Sequence, residues 1–394
     1  MTEYRYLIVG GGMTADAACR GIREHDEEGS IGLVGAERHP PYSRPPLSKA
    51  LWPEGDEESV WRGTADLGVE LHNGRRIVSI DIEERRATDD RDGEYSFERL
   101  LLATGGRPRR LPGVSDSEGV VYYRTLDDYR RVRYLAEQGA SFVVIGGGFI
   151  GSEVTACLVG VGCRVTMVFP EDGIGGRLFP AALAEYVTEQ YRSRGVEVIP
   201  GASVERVERS GDGASVTLAD GRTLEAGGVV AGLGIEPADE LAVAAGIAVH
   251  DGIVVDHLAR AGGSGIVFAA GDVARFPDPA LGTGVRVEHE NHANSHGQLA
   301  GENMAGAGKS YPGLPFFYSD LFDLGYEAVG EVDSRLETVE EWAEPNRRGV
   351  VACIDERGRP RGFLLWDVWG RVDDARELIR ARRPLEPGAL QALL

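Results

Sequence analysis

One arrangement of residues occurs twice in this chain and limits its fold more than any other feature. Leu7-Ile8-Val9 is a short apolar strand running into Gly10-Gly11-Gly12-Met13-Thr14-Ala15, then a helical stretch over residues 16–22. A second strand, residues 31–35, ends in Ala36-Glu37. The second copy has a strand over 141–145, the turn Gly146-Gly147-Gly148-Phe149-Ile150-Gly151, and a helix over 152–161. A strand over 164–169 follows and ends in Pro170-Glu171. Each copy therefore reads strand, G-x-G-x-x-G/A turn, helix, strand, acid. The first glycine (Gly10, Gly146) takes the tight bend, and the second (Gly12, Gly148) lets backbone approach a pyrophosphate. The third position (Ala15, Gly151) lets helix and strand pack closely. The helix N-terminus adds unpaired N–H groups and a partial positive charge. Glu37 and Glu171 stand where an adenosine ribose would be held. An acid there favours NAD, while Arg177 nearby leaves NADP open. Two such units suggest two dinucleotides bound side by side, with a duplication carrying one dead site as the rival reading.

Two further strands end in short polar turns: residues 99–102 lead into Ala103-Thr104-Gly105, and residues 266–270 lead into Gly271-Asp272. The alternation of strand and helix predicts an α/β protein with parallel sheets and right-handed crossovers. A length of 394 residues predicts two or three domains. The net charge of −21 argues against a nucleic-acid partner, which needs clustered Lys and Arg. No apolar run approaches the ~18 residues of a membrane span. The strand-like run at 4–9 leaves no room for a leader, so a cytoplasmic location is expected. Cys19, Cys157, Cys163 and Cys353 form neither a C-x-x-C pair nor a zinc spacing, so no metal and no dithiol acceptor is expected. Only Lys49 and Lys309 are lysines among 42 basic residues, which makes each worth weighing.

These four motifs in this order resemble the two-dinucleotide flavoprotein reductases. The segment Pro41-Tyr42-Ser43-Arg44-Pro45-Pro46-Leu47-Ser48-Lys49 is similar to a signature of ferredoxin, rubredoxin and putidaredoxin reductases and of the apoptosis-inducing factors. The glycine turn continuing into Ser152-Glu153, with Val287-Glu288-His289, Leu299-Ala300-Gly301-Glu302-Asn303-Met304 and Gly325-Tyr326-Glu327, tips the likeness toward the apoptosis-inducing-factor branch. The resemblance implies an FAD-binding domain from 1–110 and 236–315, an inserted NAD-binding domain at 111–235, and a C-terminal α+β domain at 316–394. It implies that Glu37, Arg44, Lys49, Val78, Arg124 and Asp272 hold FAD, with Ala103, Thr104 and Gly105 closing the first fold. It implies that Phe149, Ile150, Glu171, Arg177, Gly234, Glu288, Tyr318 and Glu327 face NAD. His289 would lie between flavin and nicotinamide, although a core or capping histidine is the plain alternative. Lys49 would pair with Glu153 beside the flavin, the carboxylate being read in the first turn of its helix.

The activity implied is hydride transfer from NADH to FAD, then electron delivery to a small iron–sulfur protein or a quinone. A second reading, also implied by the resemblance, is an NADH-sensing flavoprotein whose stable reduced complex controls dimerisation. Three departures from the apoptosis-inducing factors are visible. No mitochondrial leader is expected, the long polar insertion between about 344 and 350 is missing, and Gly370 replaces an Asn.

Overall fold

The computed structural model describes residues 1–114 and 119–394 of the chain. They form two compact units, Met1–Ser43 with Glu57–Arg107 and Glu236–Pro315, and Arg44–Asp56 with Pro108–Ile235 and Phe316–Leu394.

In the first unit the strand Thr2–Val9 pairs in parallel with Ile31–Gly35 on one side and Glu94–Leu102 on the other. Val69–Asn73 and Val267–Ala269 extend the sheet in the same sense. Leu7, Ile8, Leu100 and Leu101 are completely buried. Continuous apolar runs of this kind belong to parallel strands covered on both faces. The helices Met13–Arg23 and Glu290–Met304 cross at very short range. A Cβ on Gly21 would stand 2.1 Å from the Gln298 carbonyl oxygen, and one on Gly301 2.0 Å from that of Ala18. Glycine on both helices is what permits that approach. Asp16, in the first turn of the helix Met13–Arg23, has a buried carboxylate that accepts hydrogen bonds from Arg20, Arg62 and Thr64. Burial alone would raise its pKa, but those three donors hold it below the usual range.

The second unit has a parallel sheet centred on Phe142–Ile145, flanked by Val165–Val168 and Gly228–Ala231. Glu197–Ile199 and Val120–Tyr122 complete it. The strands Phe316–Leu321, Leu324–Gly330, Pro360–Trp366, Arg348–Ile354 and Glu337–Glu344 form an antiparallel sheet in that order. The segment Arg44–Asp56 is fastened to this unit. Tyr123 and Tyr129 hydroxyls donate to the Leu47 and Leu51 carbonyls, and Arg133 donates to that of Trp52.

Both glycine-turn helices begin three residues earlier than the apolar pattern suggests, at Met13 and Phe149. The second glycine of each turn, Gly12 or Gly148, is the extended N-cap, so the remaining turn residues are already helical. Glu153 is therefore the fifth residue of the helix Phe149–Gly160 and not in its first turn. The macrodipole fades within one turn. The helix N-terminus is accordingly a weaker support for this carboxylate than the sequence suggests.

Candidate functional site

In each glycine turn the first glycine adopts a backbone that side chains avoid, Gly10 at φ 128° and Gly146 at φ 118°. A Cβ there would press on the Ala103 carbonyl oxygen at 2.1 Å or the Gly232 carbonyl oxygen at 2.4 Å. The third position is equally tight in the second copy, where a Cβ on Gly151 would lie 2.0 Å from the Gly146 oxygen. Ala15 is fully buried in the first. Gly12 and Gly148 differ, since a Cβ on either would meet nothing within 4 Å. No side chain caps either helix. Each N-terminus thus presents N–H groups beside a glycine with open space around it, which suits the pyrophosphate of a dinucleotide. The residues present fit two such groups.

In the first unit, Tyr42 donates from its hydroxyl to Glu37 Oε2 at 2.6 Å. Thr104 donates to the Ala238 carbonyl at 2.6 Å, and the Gly105 carbonyl accepts from Ala238 N–H at 2.9 Å. Asp272 is buried in the short turn Gly271–Val273. Glu288 pairs with Arg286 at 3.0 Å. His289 is the N-cap of the helix Glu290–Met304. Burial lowers its pKa to about 4 against the opposing pull of Asp272, so its ring is neutral at pH 7. Val78 stands apart on the strand Ile77–Asp81, 52% exposed, while its neighbour Ile77 is the buried residue of the pair.

The second unit holds Arg44, Lys49 and Arg124 together with all the residues expected to face NAD except Glu288. Arg44 donates to the Arg124 carbonyl at 2.8 Å, and Arg124 N–H donates to Asp128 at 3.1 Å. Lys49 Nζ lies 2.8 Å from Glu153 Oε1, with the two side chains 17% and 7% exposed. Two hydroxyls complete the carboxylate, Ser48 donating to Oε2 at 2.5 Å and Ser319 to Oε1 at 2.6 Å. Asp320 is a second anion 3.6 Å from Lys49. The Tyr318 ring centroid is 5.2 Å from the ammonium, within cation–π range. Phe149 packs edge-on against Phe317 at 5.3 Å, and Ile150 beside it is partly exposed. Arg177 Nε meets Glu171 Oε1 at 2.6 Å. Gly234 takes φ 79°, and its carbonyl accepts from Arg109 N–H. Glu327 accepts from the Gly370 N–H at 3.0 Å.

Lys49, Glu153, Tyr318 and the unforeseen Ser48, Ser319 and Asp320 thus form one cluster. Ser48 was visible inside the R-P-P-L-S-K run and Ser319 directly after Tyr318. Nothing in either segment announces a carboxylate more than a hundred residues away.

Residues 4–297 match the family model for pyridine nucleotide-disulphide oxidoreductases. Residues 300–360 match the C-terminal domain of mitochondrion-associated apoptosis-inducing factor. The chain is 32% identical to apoptosis-inducing factor 1 of Dictyostelium discoideum, over 98% of this chain and 80% of that one. It is 34% identical to the ferredoxin–NAD(+) reductase component of the anthranilate 1,2-dioxygenase system of Burkholderia cepacia, over 99% and 97% of the two chains. Among solved structures, putidaredoxin reductase in its covalent complex with putidaredoxin superposes with a TM-score of 0.90 at 28% identity, covering 99% and 96%. The ferredoxin reductase of the CYP199A2 system from Rhodopseudomonas palustris gives 0.87 at 29% identity, covering 97% and 96%.

Proposed function

The chain belongs to the pyridine nucleotide-disulphide oxidoreductase family, and from that premise we propose that it is an FAD-containing NADH oxidoreductase serving a small iron–sulfur protein. The observation that carries this reading is the pair of helix N-termini at Gly12 and Gly148, where no side chain caps the helix and a Cβ would meet nothing within 4 Å. FAD is assigned to residues 1–110 and 236–315, NADH to 111–235, and residues 316–394 form the C-terminal α+β domain. Bound FAD supplies the chemistry, accepting a hydride from NADH and releasing electrons singly.

The chain's own residues bind and orient. The N–H groups after Gly12 and Gly148 hold the pyrophosphates, while Glu37 and Glu171 receive ribose hydroxyls. Asp272 would hold the ribityl or pyrophosphate region of FAD. His289 offers a flat uncharged ring at neutral pH. Lys49 would supply a cation to offset the negative charge that reduction of bound FAD adds, and Glu153 fixes that cation's position. No proton acceptor is needed for the hydride step. The relatives act on ferredoxin and rubredoxin by name, which supports an iron–sulfur acceptor over a quinone. Among the described residues no helix is long and apolar enough to cross a membrane. The four cysteines carry no disulfide, which suits a reducing compartment, and we assign the cytoplasm.

The purified protein should be yellow, release FAD on acid precipitation, and bleach far faster with NADH than with NADPH. A colourless protein without flavin would overturn the reading. The match of residues 300–360 to the apoptosis-inducing-factor domain favours a second reading, an NADH sensor. Slow reoxidation by added ferredoxin together with a change of oligomeric state on reduction would select it.

A further inference from the structure

The loop between the strand Val165–Val168 and the helix Ala181–Ser193 carries both Glu171 and Arg177. It is tied to the nucleotide fold at two points. Gly175 N–H donates to the Gly147 carbonyl at 2.8 Å, inside the glycine turn, and the Glu171 carbonyl accepts from Gly201 N–H at 2.9 Å. A third tie comes from a distant part of the sequence. Ser334 lies between the strands Leu324–Gly330 and Glu337–Glu344. Its hydroxyl donates to the Gly176 carbonyl at 2.7 Å, and its N–H donates to the Arg177 carbonyl at 3.0 Å.

Ser334 itself sits in a fixed turn. Leu336 N–H donates to the Asp333 carbonyl at 3.0 Å, and Arg335 N–H donates to the Asp333 carboxylate at 2.9 Å. The buried Cys353 thiol lies 3.7 Å from the same Asp333 carbonyl. The turn is therefore anchored to the sheet, and Ser334 restrains two successive peptides of the cofactor loop.

Arg177 needs that restraint. Its side chain is 85% exposed, and its ion partner is Glu171. An exposed pair of this kind is weak and depends on where the backbone holds its ends. A guanidinium released from Glu171 would be well shaped to take a 2′-phosphate. We propose that Ser334 is a specificity-determining positioning residue, holding the Gly176–Arg177 backbone so that Arg177 stays on Glu171 and the ribose site selects NADH over NADPH. The inference rests on the placing of Glu171 at the ribose.

Ser334→Ala in the full-length flavoprotein removes the hydroxyl tie, and Ser334→Thr keeps a hydroxyl. The alanine variant should raise KM for NADH by about three- to tenfold, the effect of one lost hydrogen bond. Its kcat should be little changed, and the NADH-to-NADPH ratio of kcat/KM should fall. Amide exchange at residues 175–178 should quicken. The threonine variant should restore all three readouts. Faster exchange with unchanged KM and unchanged ratio would overturn the proposal, as would a loss confined to kcat. Glu171→Gln separates the two levels. If it lowers the NADH preference while Ser334→Ala does not, the latch alone fails. If it leaves the preference intact, the placing of Glu171 fails and the latch with it.

Discussion

At Glu153 a single carboxylate takes three donors, one ammonium and two hydroxyls, in a pocket that is nearly closed. Burying a charge is tolerated when its lone pairs are met in this way, and removing one partner exposes the cost. Lys49→Ala would strip the cation and leave Glu153 buried with two neutral donors, a loss of about 3–5 kcal/mol in the local balance. Flavin reduction by NADH should slow and the flavin potential should fall, with FAD still held through its adenosine and pyrophosphate. Glu153→Ala should also impair reduction, and the double variant should be less damaged than the two singles summed. Stopped-flow bleaching across that cycle is the measurement, and strictly additive effects would show that the pair is not coupled to reduction. Lys49 and Glu153 were legible because each lies in a motif. Ser48 and Ser319 were not legible as its partners, because they reach Glu153 across 105 and 166 residues of sequence. Motifs report what a segment does locally, whereas a buried carboxylate is satisfied by whatever the fold brings to it.

The same limit appears in the secondary elements. The strands that end in glycine turns were plain from their apolar runs, and Ile31–Gly35 has the bounds its sequence suggests. The helix starts were misplaced because apolar spacing is blind to the N-cap, which depends on backbone angles at Gly12 and Gly148. Least legible was the contact between Met13–Arg23 and Glu290–Met304. Leu299-Ala300-Gly301 reads as a family motif, yet its physical meaning is that Gly301 lies against the Ala18 backbone. That contact has no room for a methyl group, since the obstacle is a carbonyl that cannot rotate away. Gly301→Ala should force the helices apart and destabilise the first unit by about 1–3 kcal/mol or more. Because His289 is the N-cap of the longer helix and Gly12 that of the shorter, a shift between them should also weaken flavin retention. Thermal unfolding and the rate of FAD release from the variant check this together. Wild-type values for both would mean that the two helices can part without consequence.

For the molecule as a whole, the order of glycine turns predicted the architecture, but nothing in the chain's composition predicted its response to acid. That response should be set by histidines the hydride step does not use. His292 and His296 are one turn apart, completely buried, with ring centroids 4.8 Å apart and the Phe276 and Tyr311 rings beside them. Burial lowers His292 to about 3, helped by His289 and opposed by the Gly271 carbonyl. Burial lowers His296 well below its ordinary value, with His292 adding to the effect. In the unfolded chain each imidazole takes its proton near pH 6.5. Below that pH the unfolded state binds more protons than the folded one, so stability must rise with pH across the window. The contribution is whole above pH 6.5 and is lost as the pH falls toward the depressed folded values. At pH 5 the loss is about 2 kcal/mol for His292, and His296 adds to it in the same direction. Relief of repulsion within a chain of net charge −21 works in the opposite direction, but it requires protonated carboxylates, whose ordinary pKa values near 4 lie below this window. The histidine effect should therefore dominate between pH 7 and 5. Denaturant midpoints measured at steps across that range should fall steadily for the wild type. His296→Phe, which keeps a ring of similar size and cannot take a proton, should flatten the fall. An equal slope in the variant would assign the acid sensitivity to other groups.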